Sequence, residues 1–461
     1  MGKTVFIVIT RGFIIRNILR SGVLDYLKQS GCKVIIFLQT MKENDVPEYL
    51  KKEFQDERVT IVGIGDYLMN NFFDRLYRFF AKWTIFLVYS KSTLHYIRFK
   101  NIKKERMFFW MYIEIFFLFL FSKLHVLKKI VRLIERKVFV SNFYAKYFDA
   151  YRPDVIFSTS IISGIDMAFM KEAQRRGVKT ISMTKGWDHA ARSFYRFVPD
   201  NIIVQNAIMK DYLFKYQKIK KEKVKVGGFP QFDWYVHGDL LVRREEFLSS
   251  LGLDPQRKLI LFGSEGPWSP EDDNIVGLLA KYIAAGRFPT AASLLIRPHY
   301  VDLKTERYDK FIGLKNIKLD ASMVYHETLS TNWDPDMREI AYFVNLMHHM
   351  DLLINMASTL TLDACCFDKP VIAVSFGVLH DEKSGKDLSG LLYEADHFQD
   401  VLKTGAVDLV HSEQELLESV NMYLLHPERK REERKTLLNT LCYKVDGNSA
   451  KRVADEILSL L

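Results

Sequence analysis

The sequence predicts an α/β protein of two doubly wound domains, the first carrying a helical, aromatic-rich insertion. Three observations carry that prediction. Short apolar runs alternate with longer stretches of helical spacing in both halves of the chain, the pattern of strands buried on both faces of a parallel sheet. The alternation is suspended between residues 66 and 140, where Phe, Tyr, Trp, Leu and Ile are dense. It pauses again at a Gly- and Pro-bearing turn, GGFPQFD (Gly227 to Asp233), in a chain of 461 residues, which is long for one domain. The expected division is therefore 1–232, then 233–445, with a C-terminal helix over 446–461.

In the first domain, Val5 to Ile9, Val34 to Leu38 and Val59 to Val62 read as strands, with a helix from Gly12 to Gln29 closed by Gly31. The first turn, Thr10-Arg11-Gly12-Phe13, lacks the G-x-G-x-x-G spacing of a dinucleotide site. Arg11 and Gly12 nonetheless fall at the carboxyl end of a strand, where open α/β sheets bind ligands, and Arg11 is equally readable as an ordinary surface charge.

Within the insertion, Met107 to Phe121 (MFFWMYIEIFFLFLF) has Glu114 as its charged residue and is too short for the roughly 18–20 residues of a membrane span. Its flanks are basic: Lys100, Lys103, Lys104 and Arg106 before it, then Lys123, Lys128, Lys129, Arg132, Arg136 and Lys137. Aromatic bulk bordered by cations suits a helix lying in the interface of an anionic membrane, with residues 72–137 as the contact region. The competing expectation is a helical layer buried within the domain.

The strands resume at Asp154 to Ser158 and Lys179 to Met183, on either side of a helix Ile165 to Arg176. The loop TKGWDHAARS then sets Trp187, Asp188 and His189 side by side. A carboxylate and an imidazole at a strand end suit proton transfer, or simply hold the loop. Asn201 to Gln205, a basic helix from Lys210 to Lys223, and strand Val224 to Val226 complete this half.

The second half repeats the plan. Leu259 to Phe262 runs into a loop containing Ser264 and Glu265, placed to touch a ligand. Ser293 to Ile296 ends in Arg297-Pro298-His299, which either meets a ligand phosphate or, for Arg297, pairs with a nearby carboxylate. Helix Met337 to Met350 leads into DLLINMASTLTLDACCFDKPVIAVSF, a strand, polar turn, helix and strand in succession. Ser358 and Thr359 open that helix, where backbone N–H groups favour an anion, unless they merely cap it. Asp363 sits one turn further in, within reach of a ribose hydroxyl. Val407 to Val410 and helix Glu413 to Leu425 follow.

Composition bounds the partners. Hydrophobic residues make up 48% and charged residues 26%, as in a soluble protein, and 66 Lys and Arg against 56 Asp and Glu leave a net charge of +10. That excess favours anionic partners. Four cysteines without metal-ligand spacing point to a reducing cytoplasm and no metal site, and MGKTVFIVIT is too short an apolar run for a secretory signal.

Several motifs are similar to those of bacterial surface-polysaccharide enzymes related to CDP-glycerol glycerophosphotransferases and capsular glycosyltransferases. They are TKGWDHAARS (like the S-W-D-N loop of that group), PDNIIVQNAIMKDYL, VGGFPQFD, LLIRPHY, the loop containing Trp333-Asp334-Pro335, DLLINMASTLTLDACCFDKPVI and DGNSAKRVADEI, together covering roughly residues 150–461. His189 stands where Asn is usual, and Arg297 where Lys is common. The resemblance implies the GT-B architecture of two Rossmann-like domains. It also implies a nucleotide-sugar donor on the second domain, with its phosphates against Ser358, Thr359, Arg297 and His299. A glycan or lipid-linked acceptor would lie on the first domain, with Asp188 or His189 as base and Arg11, Gly12 and Trp187 on the acceptor side. The expected enzyme is a metal-independent, cofactor-free glycosyltransferase at the inner face of the cell membrane, with no nucleic-acid partner. A glycerophosphotransferase, a nucleotide-sugar 2-epimerase and a non-enzymatic binding protein are the alternatives.

Overall fold

The structure is a computed structural model that describes residues 2–65, 72–103, 108–139, 142–302, 305–326, 329 and 333–461. Lys104, Arg106 and Met107 of the insertion, and part of the loop His326 to Asp336, lie outside them. The chain forms two units. Unit 1 comprises Met1–Asp233, Val324–Pro335 and Asp446–Leu461; unit 2 comprises Trp234–Met323 and Asp336–Val445.

Unit 1 is built on seven parallel strands: β1 (Thr4–Ile9), β2 (Lys33–Gln39), β3 (Val59–Ile64), β4 (Val155–Ser158), β5 (Lys179–Met183), β6 (Asn201–Val204) and β7 (Val224–Val226), in the order β3-β2-β1-β4-β5-β6-β7. Alternation along β1 sends Val5, Ile7 and Ile9 to one face and Phe6 and Val8 to the other, so both faces are apolar and both are covered. On the first face lie Val453, Ala454 and Ile457 from the helix Ser449–Leu458. On the second, Phe6 meets Phe37 and Phe148 edge-on, at 4.7 and 5.4 Å between ring centroids.

The helix expected from Gly12 to Gln29 is broken. A short turn and a π-helical stretch, Ile15–Arg20, precede Gly22 at φ 102°, and a regular helix runs only from Val23 to Gln29. Only glycine takes that conformation cheaply, and the break carries Arg20 inward. Its guanidinium meets Asp334 at 2.5 Å and Glu53 at 2.7 Å, while the Tyr49 hydroxyl donates to Asp334 at 2.8 Å. This buried cluster holds Val324–Pro335, expected in the second domain, within unit 1. Asp233 likewise accepts from the backbone N–H groups of Ser449 and Ala450, capping the helix Ser449–Leu458. The basic helix expected over Lys210 to Lys223 runs instead from Ala207 to Gln217. It is capped by Asn206 and ends where Lys218 turns left-handed.

Between β3 and β4, helices Phe72–Trp83, Lys91–Lys103, Phe108–Lys123 and His125–Lys137 form a layer with two different faces. Phe86, Ile97, Leu118, Val88 and Val131 are buried beneath it. Outside, Phe109, Tyr112 and Phe116 are each at least 60% exposed, flanked by exposed Trp110, Phe79, Val126, Ile130 and Leu133. No single helix among the described residues is long and apolar enough to cross a membrane. Two cations expected on the outer face turn inward: Lys128 donates to the Tyr216 carbonyl at 2.6 Å, and Arg132 to the carbonyls of Tyr195 and Gln217, each at 3.0 Å.

Unit 2 has six parallel strands: β8 (Lys258–Gly263), β9 (Ala292–Arg297), β10 (Ile317–Leu319), β11 (Leu352–Asn355), β12 (Val371–Val374) and β13 (Val407–Val410), in the order β10-β9-β8-β11-β12-β13. In each sheet the winding direction reverses at one place, between β1 and β4 in unit 1 and between β8 and β11 in unit 2. Loops part at such a reversal and leave room for a ligand beyond the strand ends.

Candidate functional site

In unit 2, the loops leaving β8 and β11 bring Glu265 and Ser358 together, close enough for the Ser358 hydroxyl to act on the Glu265 carboxyl. The carboxyl oxygen Oε2 is shut off from solvent and has no hydrogen-bond partner among the described residues. An orphaned buried oxygen of this kind costs free energy unless something fills its valence. Burial pushes the carboxyl up to about 8 against the influence of the Ser358 hydroxyl, and the nearby Asp272 adds to the rise, so at neutral pH Glu265 is largely a protonated acid and a donor.

The loop behind it is tightly fixed. Asp272 accepts from Ser264 Oγ at 2.7 Å, Ser269 Oγ at 2.9 Å, Tyr308 Oη at 2.6 Å and Arg307 Nε at 3.0 Å. The Ser264 hydroxyl, expected at the ligand, is thus engaged within its own loop, where it also accepts from Gly266 N at 2.9 Å. Gly266 has φ 58°, and a Cβ there would stand 3.0 Å from that of His299, so the loops after β8 and β9 press directly on one another.

At the end of β9, Arg297 is ion-paired with Asp320, reaches Ser322 Oγ at 3.3 Å and lies over the Phe343 ring. The carboxylate-pairing alternative is the arrangement observed. His299 is driven down to about 4, mainly by burial, with Asp302 opposing and Arg297 reinforcing the fall. Its Nδ1 accepts from Val301 N at 3.3 Å, which leaves the proton of the neutral ring on Nε2 as a donor.

In the turn after β11, Ser358 is buried and Thr359 exposed, and neither side chain caps the seven-residue helix Leu360–Cys366 in the usual way. Asp363, expected at a ribose, accepts from the Tyr235 hydroxyl at 2.5 Å. Asn355, which sequence reasoning passed over, ends β11 with its Nδ2 on Thr361 Oγ1 at 3.1 Å and its buried Oδ1 unfilled among the described residues. A polar residue closing an apolar strand was the available signal.

In unit 1, the loops after β1, β4 and β5 form the corresponding region. Asp166 accepts from Ser158 Oγ at 2.7 Å, Thr159 N at 3.2 Å and Thr10 Oγ1 at 3.3 Å, tying β1 to β4. Burial pushes it up to about 6 against those hydrogen bonds. Arg11 lies exposed beyond β1, and Gly12 is buried at the start of a one-turn helix. After β5, Trp187 is buried. Asp188 meets Arg192 at 3.0 Å and stands 3.6 Å from Nε2 of His189, which is buried at the start of the turn His189–Arg192. Asp188 is the more accessible member of that pair. Lys185, which the sequence reading missed, is held below the usual lysine range by burial and then by Arg11, with Asp188 opposing.

No protein-family profile matches the chain, and no curated protein matches it in sequence. Solved structures do match in fold. A Staphylococcus aureus MnaA structure with UDP is 13% identical, covering 100% of this chain and 98% of that one at a TM-score of 0.54. A Neisseria meningitidis UDP-GlcNAc 2-epimerase bound to UDP-GlcNAc is 15% identical, covering 99% and 100% at 0.53. A glycosyltransferase from Rickettsia africae is 13% identical, covering 99% of each chain at 0.52. At these identities the likeness is one of fold: two parallel-sheet α/β domains in the GT-B class.

Proposed function

We propose that the chain is a GT-B transferase that takes a sugar from a nucleotide-activated donor and places it on a glycan or lipid-linked acceptor in cell-surface polysaccharide synthesis. The observation that carries this reading is Glu265, a half-buried acid whose Oε2 is shut off from solvent and unfilled among the described residues, beside Ser358 at the reversal point of unit 2. The donor nucleotide binds there, accepting from the Glu265 acid, Ser358 and the Nε2–H of His299, with Asn355 at the same strand end. These fixed donors stabilise the leaving diphosphate without a metal ion. The acceptor lies on unit 1, where Asp188, the more accessible carboxylate, takes the proton of the attacking hydroxyl, with His189 behind it.

Calorimetric titration of UDP, GDP, CDP and CMP, with the wild type and with Glu265→Ala, tests the donor site. Binding of one nucleotide and at least tenfold weakening in the variant are expected. Equal affinity in a folded variant removes unit 2's reversal point from the site. Asp188→Asn should abolish release of nucleotide from the matching donor while leaving nucleotide affinity intact.

The enzyme works at an anionic membrane surface, and the charge sorting of the helical layer supports this. Among the described side chains of its four helices the acids are Glu114, on Lys100 at 2.7 Å, and Glu135, on Lys171 at 2.7 Å, so both are internally paired. Arg75, Arg78, Lys82, Lys123, Lys129, Arg136 and Lys137 are exposed beside the apolar ridge. A 2-epimerase acting on a soluble nucleotide sugar has no use for such a face.

A further inference from the structure

Arg11 and Lys185 stand apart from the other cations near the strand ends. Arg297 is committed to Asp320 and Arg192 to Asp188. Neither Arg11 nor Lys185 has a side-chain hydrogen bond or ion pair among the described residues. They reach out from loops after β1 and β5, strands separated by β4 and hence about 10 Å apart. Lys185 is half-buried, and the Arg11 charge acts on it as a neighbour. Two like charges brought together, one partly desolvated and offset only in part by Asp188 and Asp166, destabilise the empty protein; an anion between them removes that cost. Asp188 and Arg192 also act on Lys185, so the pair sits at the rim of the proposed acceptor site.

We infer that Arg11 and Lys185 form a binding site in unit 1 for a phosphate group carried by the acceptor. The inference rests on the proposed placement of the acceptor on unit 1. The acceptor is then an anionic molecule, a phosphorylated glycan or a lipid-linked phosphate, held a short distance from the hydroxyl that Asp188 deprotonates. The depressed lysine also gives the site a readout of its own, because a larger fraction of its amine is unprotonated and reactive near neutral pH.

The test is competitive amine labelling of the full-length protein, with the rate at Lys185 read by peptide mass spectrometry. Glycerol phosphate in solution and phosphatidic-acid vesicles are the two arms, with phosphatidylcholine vesicles as the control. Lys185 labelling should slow several-fold in at least one arm; protection by vesicles alone assigns the phosphate to a lipid. Arg11→Gln should raise the phosphate concentration needed for half-maximal protection about tenfold, the scale of one lost charge-assisted hydrogen bond. Ser358→Ala should leave it unchanged. No protection in either arm, or protection that survives Arg11→Gln, overturns the site. Protection of Lys185 by free nucleotide but by neither phosphate also overturns it, and moves the donor to unit 1. Nucleotide titration separates the two ideas: phosphate protection without any nucleotide binding keeps this anion site and removes the transferase reading.

Discussion

The reversal points of the two sheets share a topology and differ in electrostatics. In unit 2 the strand ends are nearly silent: Glu265 is held protonated, His299 is held neutral, and Arg297 is cancelled by Asp320. In unit 1 the cations Arg11 and Lys185 have no ion-pair partner among the described residues, and Asp188 and Asp166 offset Lys185 only in part. A strand end rich in basic letters is therefore not the same as a cationic site. What matters is whether a carboxylate elsewhere has already claimed the charge, and a site without net charge recognises its ligand through directed hydrogen bonds instead.

The sharpest way to break this comparison is at Arg297. If it is structural, Arg297→Ala leaves Asp320 buried and unpaired, at a cost of about 3–5 kcal/mol in denaturant unfolding. Arg297→Gln combined with Asp320→Asn should recover much of that loss. A variant that unfolds normally but loses nucleotide would return Arg297 to the ligand.

Glu265 offers the next test. An acid raised in the folded state contributes stability that is complete below its unfolded value, near 4.5, and is lost as pH rises through about 8. Glu265→Gln should therefore be more heat-stable than wild type at pH 8, with the gap closing toward pH 4. A gap independent of pH would mean that the carboxyl is not the buried acid described here.

A smaller effect is expected at Ser358. Ser358→Ala should weaken nucleotide binding by about 1.5–3 kcal/mol, while Thr359→Ala, at an exposed side chain, should change it little. Equal losses would mean that both hydroxyls reach the ligand.

The smallest single-residue effect is at the membrane face, at about 1 kcal/mol per cation. Reversing Lys129, Arg136 and Lys137 together should release the protein from anionic liposomes in flotation, most clearly at low salt. Wild type that fails to float at low salt would remove the membrane from the account. Lys128, although adjacent in sequence, is no part of that face.

Most strands were legible because a two-sided parallel sheet writes continuous apolar runs into the chain, and β5, β7 and β13 fall on the residues expected. β10, three residues at a sheet edge with Lys318 at its centre, wrote no such run. The insertion was readable as apolar and basic but not as two-faced, since Lys128 and Lys129 look alike until one meets the Tyr216 carbonyl. In the site, position after a strand pointed to Glu265 and Ser358. Pairings across long separations, Arg20 with Asp334 or Arg297 with Asp320, leave no local mark. Lys185 was hidden for the opposite reason: its significance is the lack of a partner, and no sequence pattern records that.

The helix Ser449–Leu458 has a consequence for synthesis. It joins the apolar cluster on one face of the first sheet, packed beside the helix Val23–Gln29, yet it leaves the ribosome more than four hundred residues after β1. Until then the part of that face not covered by Ile15–Arg20 and Val23–Gln29 lies open on a nascent chain, while unit 2 is still being made. The usual order, in which an N-terminal domain finishes before the next begins, is closed to this protein. Its first sheet matures last, and the interval is one in which a chaperone or a premature contact decides the yield.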